Sequence, residues 1–262
     1  MIGLIFHRGC NLTEAENSIA GIKECIELAP WRPVEIDVAV TKDCHPVLLH
    51  DLSLDRLFGL HRTILDVTLN ELEKIAGESK VATLAGALDA FPDTQFELDL
   101  RDDTSMELFP ESNLSASDLP VNPVHSLLKG IEPIIQNDAG KRLRLIVGQP
   151  STYRRLKRLF PNVPLSLAER SCRAFLTELT KDAYAPAPVE GLDRLYVRYR
   201  TASPELTERL HRRGFSVCLT ASFPYRSLEN SRQVAKRAIS SSVDYVTVSP
   251  VDMNLVDLLE SS

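Results

Sequence analysis

MIGLIFHRGCN, residues 1–11, decides which fold the rest of the chain must serve. The apolar run from Met1 to Phe6 is too short to cross a bilayer or to act as the apolar core of a signal peptide, and no cleavage-type flank follows it. It suits a parallel strand buried on both faces. His7 and Arg8 then stand where that strand runs out, at the end of a sheet where α/β proteins keep their chemistry. The turn that follows, HRGCN, lacks G-x-G-x-x-G, so a dinucleotide-binding open sheet fails at the first crossover.

Outward from there the chain alternates strand and helix. Candidate strands cover residues 2–7, 33–38, 95–101, 142–147, 163–167, 193–198, 215–220 and 243–249, with helical patterns between them such as ENSIAGIKECIELA, TLNELEKIA, STYRRLKRLF, SPELTERLHRRG and RSLENSRQVAKRAI. Eight such strands within 262 residues predict a closed (β/α)8 TIM barrel, one domain over residues 1–262, rather than an open doubly wound sheet. Residues 102–123, DDTSMELFPESNLSASDLPVNP, break the rhythm. They form a polar, proline-bearing loop insertion after the third strand, too long for an ordinary βα loop. In a barrel they overhang the catalytic face, either as a substrate-contacting lid or as a disordered surface insertion. No interdomain linker, fixed-period repeat, low-complexity tract or lipidation motif is present.

Composition bounds the function. With 44 % hydrophobic and 25 % charged residues the chain has material for a sizeable core and no transmembrane segment. A net charge of −6 and a pI near 5.6 argue against a nucleic-acid partner and against anionic membrane surfaces. The five cysteines (Cys10, Cys25, Cys44, Cys172 and Cys218) are odd in number and form no CxxC pair, which favours reduced thiols in a cytoplasmic protein over disulfides or a zinc site. Oligomeric state is not encoded in any feature of the sequence.

The segment VEIDVAVTKDCHPVLLHD, residues 34–51, carries the chemistry. Side chains alternate along a strand, so Glu35 and Asp37 share one face while Val34, Ile36 and Val38 share the other. The outer face of a barrel strand meets helices and must be apolar, so the two carboxylates point inward. Unpaired carboxylates there are costly, and a divalent cation with hard oxygen ligands, Mg²⁺ or Ca²⁺, is the usual remedy; an ion pair with an inward arginine is the structural alternative. FELDLRD repeats the logic, with Phe96, Leu98 and Leu100 outward and Glu97, Asp99 and Arg101 inward. A carboxylate beside a guanidinium at a strand tip suits metal ligation together with phosphate neutralisation. His7 and His50 add a general acid and a general base around a metal-held phosphoryl group. On the sixth strand Leu195 and Val197 point outward, which turns Tyr196 and Arg198 inward. Arg198 then contacts a phosphate or sugar hydroxyl, or pairs with an inward acid such as Glu97.

These motifs stand in a known order. His7-Arg8-Gly9, Glu16-Asn17-Ser18, Glu35-Ile36-Asp37 and His50-Asp51, followed by DRLFG and TLNEL, resemble the glycerophosphodiester phosphodiesterases, most specifically over residues 1–100. The resemblance implies a (β/α)8 barrel that hydrolyses phosphodiesters with a divalent metal. His7 and His50 match the family's catalytic histidines, Glu35 and Asp37 match metal ligands, and Arg8 matches the phosphate-contacting arginine. The family's third-strand motif, usually Glu-x-Lys, is matched in charge and alternation by Asp99-Leu100-Arg101. That makes Asp99 the third ligand in place of Glu97, and Arg101 the second phosphate contact.

Four departures bear on the substrate. Ala15 stands where the family has proline, and the segment between His50 and the third strand is short for the family's inserted subdomain. The seventh strand ends VCLTASF with no Trp-Thr, and the eighth ends YVTVSP with no Thr-Asp. The Asp-x-cation motif is also similar to that of sphingomyelinase D, and agrocinopine-type sugar phosphodiester enzymes form a further branch. The expected partner is a small, water-soluble phosphodiester carrying a polyol or sugar. A retired barrel that binds a phosphorylated ligand and a sugar-phosphodiester synthase are the competing expectations.

Overall fold

Apolar residues at every second position of the strand segments build the barrel wall. The computed structural model describes residues 2–9, 16–77, 81–102, 123–137, 142–169, 191–220 and 228–249, with 256, 257 and 259. In chain order the strands are β1 (Gly3–Phe6), β2 (Val34–Val40), β3 (Pro46–Leu48), β4 (Phe96–Leu100), β5 (Leu143–Val147), β6 (Leu165–Ala168), β7 (Leu192–Arg198), β8 (Ser216–Thr220) and β9 (Tyr245–Val248). All but β3 are parallel, run in the order β1-β2-β4-β5-β6-β7-β8-β9, and close where β9 pairs with β1. This is the (β/α)8 TIM barrel, and each expected strand is present with ends shifted by at most two residues. Sequence periodicity did not single out β3, which folds back antiparallel on β2 and delivers His50 to the barrel rim.

The helices are α1 (Ile19–Leu28), α2 (Asp55–Phe58), α3 (Leu69–Ala76), α4 (Leu84–Ala90), α5 (Pro123–Asn137), α6 (Pro150–Leu159), α7 (Pro204–His211) and α8 (Leu228–Ser240). Their starts follow local chemistry. Ser18 accepts from Gly21 N–H at 3.0 Å, Thr68 and Glu71 form a reciprocal capping box, and Ser203 caps a helix that begins with Pro204.

Two shells result from the alternation. Ile36, Leu98, Leu145, Leu195, Val217 and Val246 belong to the large outer core between strands and helices. Ile5, Ile146, Ala168, Tyr196 and Cys218 form a small apolar plug inside the barrel. Tyr196 therefore faces inward as its register requires. Of the polar 102–123 insertion, residues 103–122 lie outside the described residues. Its first residue, Asp102, is buried and accepts from Gly148 N–H (2.8 Å) and Gln149 N–H (3.1 Å) at the start of α6. Among the described residues Cys25, Cys44 and Cys218 are free thiols, and no helix is long and apolar enough to cross a membrane.

Candidate active site

The turn after β1 sets the geometry. Arg8 (φ 58°) and Gly9 (φ 51°) are both left-handed, and Gly9 is required because a Cβ there would lie 2.8 Å from Ile22 Cγ1. A non-glycine in that region costs about 1–2 kcal/mol, and the return is orientation. Arg8 N–H donates to Glu35 Oε2 at 2.8 Å while Gly9 N–H donates to the Glu35 carbonyl at 2.9 Å. Asn17, also left-handed (φ 55°), clamps Asp37: its Nδ2 donates to Asp37 Oδ2 and its Oδ1 accepts from Asp37 N–H, each at 2.9 Å. The Glu-Asn-Ser motif thus contributes a carboxylate holder, a role that its spacing alone did not disclose.

Glu35, Asp37 and Asp99 bring one oxygen each to within 4.8 Å of one another. Two guanidiniums reach them. Arg101 Nη1 bridges Asp37 Oδ1 (3.1 Å) and Asp99 Oδ2 (3.2 Å), and Arg8 Nε lies 3.4 Å from Asp37 Oδ2. Both sequence alternatives, a metal-type carboxylate group and an ion pair with an inward arginine, therefore coexist. Burial would raise the Asp37 carboxyl, but the neighbouring His50, Arg8 and Arg101 outweigh it and hold Asp37 below the usual carboxylate range. Glu35 goes the other way: burial and the charges of Asp37 and Asp99 push it well up, against the Arg8 contacts. Three carboxylates face two guanidiniums, one of which, Arg8, is also shared with Glu16 at 3.2 Å, so negative charge is left uncompensated. A hard divalent cation fits this donor set, because it would relieve the repulsion that raises Glu35.

His7 Nε2 lies 3.9 Å from Glu35 Oε2. Burial, then the positive charge of Arg8, lower its pKa to about 3. His50 donates from Nδ1 to Asp51 Oδ1 at 2.5 Å, and Asp51 Oδ2 accepts from Arg56 Nε at 2.5 Å. Burial lowers His50 too, against the pull of Asp37 and Asp51. Both rings are neutral at pH 7, and a neutral imidazole carries one N–H and one lone pair.

These groups form one wall of a cavity of about 430 Å³ at the C-terminal end of the barrel: His7, Arg8, Glu35, His50, Asp99 and Arg101. The facing wall is Ile146, Ala168, Glu169, Tyr196, Arg198, Thr220 and Thr247. Arg198 lines the cavity as its register requires, but the pair with Glu97 does not form. Glu97 lies toward the other end of the barrel and binds Arg194 at 2.6 Å. Arg194 and Arg198 share one face of β7 yet stand about 13 Å apart along it, at 3.3 Å per residue. Glu169 escaped the sequence analysis. It accepts from Arg198 N–H (2.8 Å) and the Thr201 hydroxyl (2.5 Å), and its signal was a lone carboxylate directly after an apolar strand.

Comparison with known proteins places this arrangement. The chain matches the model of the glycerophosphoryl diester phosphodiesterase family over residues 7–247. It is 32 % identical over 117 residues to a glycerophosphodiester phosphodiesterase of Caldanaerobacter subterraneus subsp. tengcongensis, covering 41 % of this chain and 47 % of that relative. The match thus spans about half the length of the curated relative. A glycerophosphodiester phosphodiesterase structure from Thermotoga maritima shares the fold with a TM-score of 0.66 at 20 % identity, covering 100 % of this chain and 98 % of the other. An Oleispira antarctica phosphodiesterase in complex with the product sn-glycerol-3-phosphate does so with a TM-score of 0.70 at 15 % identity, over 98 % and 96 % of the two chains. Since the family model runs from His7 to Thr247 and so takes in the whole charged wall of the cavity, the chain belongs to the glycerophosphoryl diester phosphodiesterase family.

Proposed function

We propose that this chain is a metal-dependent phosphoric diester hydrolase acting on a small, water-soluble phosphodiester. The observation that carries the proposal is the charge imbalance at the barrel mouth, flanked by two neutral histidines. The carboxylates outnumber the guanidiniums here, and a divalent cation offsets that surplus as well as the charge of a phosphodiester. Glu35, Asp37 and Asp99 would hold that cation, Mg²⁺ or Ca²⁺, which when bound withdraws charge from the non-bridging phosphoryl oxygens.

The remaining work falls to the chain's own side chains. Arg8 and Arg101 orient the phosphoryl group and stabilise charge developing on it. One histidine, as the neutral imidazole, takes the proton of the attacking hydroxyl, and the other, protonated to imidazolium when the anionic phosphodiester is bound, delivers its proton to the leaving alkoxide. Asp51 stabilises the imidazolium when the His50 ring is charged. On the facing wall Glu169, Arg198, Thr220 and Thr247 suit hydroxyl groups better than an acyl chain, which supports a polyol or sugar substituent. Residues 1–262 then act as one catalytic domain, in a compartment that keeps its thiols reduced.

Turnover of glycerophosphoglycerol, glycerophosphoinositol and sugar phosphodiesters, followed by ³¹P NMR with and without EDTA, tests this. Hydrolysis that EDTA abolishes and Mg²⁺ or Ca²⁺ restores is expected. Full activity in metal-stripped protein, or activity confined to sphingomyelin or lysophosphatidylcholine, would overturn it.

A further inference from the structure

Arg56 belongs to α2, a four-residue helix none of whose residues is buried. Its flanks are: Leu52, Leu54, Ile64 and Leu65 are at most 1 % exposed, and Ser53 bridges to Thr63. A surface turn is thereby pinned from both sides, and it sends one long cation back toward the cavity. Arg56 donates through Nε to Asp51 Oδ2 and through Nη2 to Glu16 Oε1, each at 2.5 Å. Beyond Asp51 lies His50, with Nδ1 2.5 Å from Oδ1. Beyond Glu16 lies Arg8, with Nη1 3.2 Å from Oε2. Base and acid alternate without a break along His50–Asp51–Arg56–Glu16–Arg8, which joins a proton-transfer group to a phosphate-binding group.

We propose that Arg56 is a positioning residue that fixes His50 and Arg8 relative to each other by holding Asp51 and Glu16 on one guanidinium; this rests on the site's acting on a phosphodiester. The physical reason is the planar fork. Its donors diverge at fixed angles, so two carboxylates bound to it keep a set separation, and each turns its other oxygen toward a site residue. The side chain of Asp51 is 2 % exposed, so water cannot replace a lost Arg56 contact at Oδ2. A lysine would keep the charge but not the bridge.

Arg56→Lys is therefore the informative variant. On glycerophosphoglycerol we expect kcat to fall and KM to rise, each by about 10-fold, as for other partners that orient a catalytic group from outside the site. The melting temperature should stay close to that of the wild type. Asp51→Asn should reproduce the kcat part and Glu16→Gln the KM part. Adding Arg56→Lys to the double variant Asp51→Asn with Glu16→Gln should cost far less than it does alone. A readout independent of turnover is the ¹⁵N NMR spectrum of the imidazoles: His50 should be a fixed Nδ1–H tautomer in the wild type and an averaged one in Arg56→Lys. A lowered melting temperature with kcat, KM and tautomer unmoved, or full additivity in the triple variant, would overturn the proposal. If the wild type hydrolyses no phosphodiester, the proposed function fails, whereas the tautomer comparison still decides whether Arg56 positions His50.

Discussion

The barrel holds a charged cluster at each end, and both grow from the same pattern. β2 carries Glu35-x-Asp37 and β4 carries Glu97-x-Asp99, aligned residue for residue in the parallel ladder. At the N-terminal end Glu97 meets Arg194 at 2.6 Å and Arg144 at 4.0 Å, and Arg144 Nη2 reaches Asp193 Oδ2 at 2.9 Å. The Arg194 guanidinium lies 3.7 Å from the centre of the Tyr245 ring. That ring fits because Gly3 has no Cβ, which would sit 2.5 Å from it. Among the described residues this end balances two carboxylates with two guanidiniums in charge, while Glu97 Oε2 and Arg194 Nε are buried without a hydrogen-bond partner. At the C-terminal end Glu35, Asp37 and Asp99 face Arg8 and Arg101, Arg8 is shared with Glu16, and the group is open to solvent through the cavity. Two acids spaced i, i+2 on a strand thus say little by themselves; the count of opposing cations separates a structural plug from a ligand site.

The sharpest way to break that contrast is to disarm each end. His7→Ala and His50→Ala should each lower kcat on a phosphodiester with an unactivated leaving group by about 10²-fold or more, with the fold intact by circular dichroism. Arg194→Met, at the other end, should leave kcat near wild type but strip Glu97 of its nearest cation. Breaking a buried pair from one side costs about 3–5 kcal/mol, and the lower end is expected because Arg144 remains. Urea denaturation measures this. A kcat loss in well-folded Arg194→Met as large as that of His50→Ala would make the two ends one functional unit.

Much of this was legible in the sequence, for identifiable reasons. The eight parallel strands announced themselves in two ways: β1 as a continuous apolar run, and β2, β4 and β7 by alternation, because Ile36, Leu98 and Val197 must face helices. His7, Arg8, Glu35, His50, Asp99, Arg101 and Arg198 all meet at one cavity: six stand at or beside the C-terminal end of their own strand, and Glu35, second in β2, lies beside the end of β1, where Phe6 pairs with Val34. What stayed hidden depends on height within the barrel and on reach. Strand tilt decides that Glu97 meets Arg194 and not Arg198, and side-chain periodicity contains no information on tilt. Arg56 and Glu169 act through long-range contacts, 40 residues to Glu16 and 32 to Thr201, that no local pattern encodes.

Metal binding sharpens the comparison at smaller amplitude. Saturating Mg²⁺ or Ca²⁺, at about 100 times Kd, should stabilise the wild type by about 2.7 kcal/mol. Differential scanning calorimetry should show that gain vanish in Glu35→Gln and Asp99→Asn. It should persist in Glu97→Gln, whose carboxylate belongs to the balanced end. Loss of the metal-dependent shift in Glu97→Gln would merge the two clusters into one site.

The smallest expected effect is the pH dependence of metal-free protein. His7 has a folded pKa of about 3, below its ordinary value of 6.5, so between those values the unfolded chain binds the proton and the folded chain does not. Stability must therefore fall as pH drops below about 6.5 toward 3. Glu35, pushed upward, has the opposite sign: it adds stability below its unfolded pKa and loses it as pH rises through its folded one. Total stability mixes the two, whereas the difference between wild type and His7→Gln isolates the imidazole. That difference should shift in favour of His7→Gln between pH 7.5 and 5. The slope should stay below the limit of about 1.4 kcal/mol per pH unit for one proton, because the His7 side chain is 35 % exposed and solvent screens part of the penalty. Melting curves of the two proteins that run parallel across this range would mean that burial and Arg8 do not lower the His7 pKa on folding.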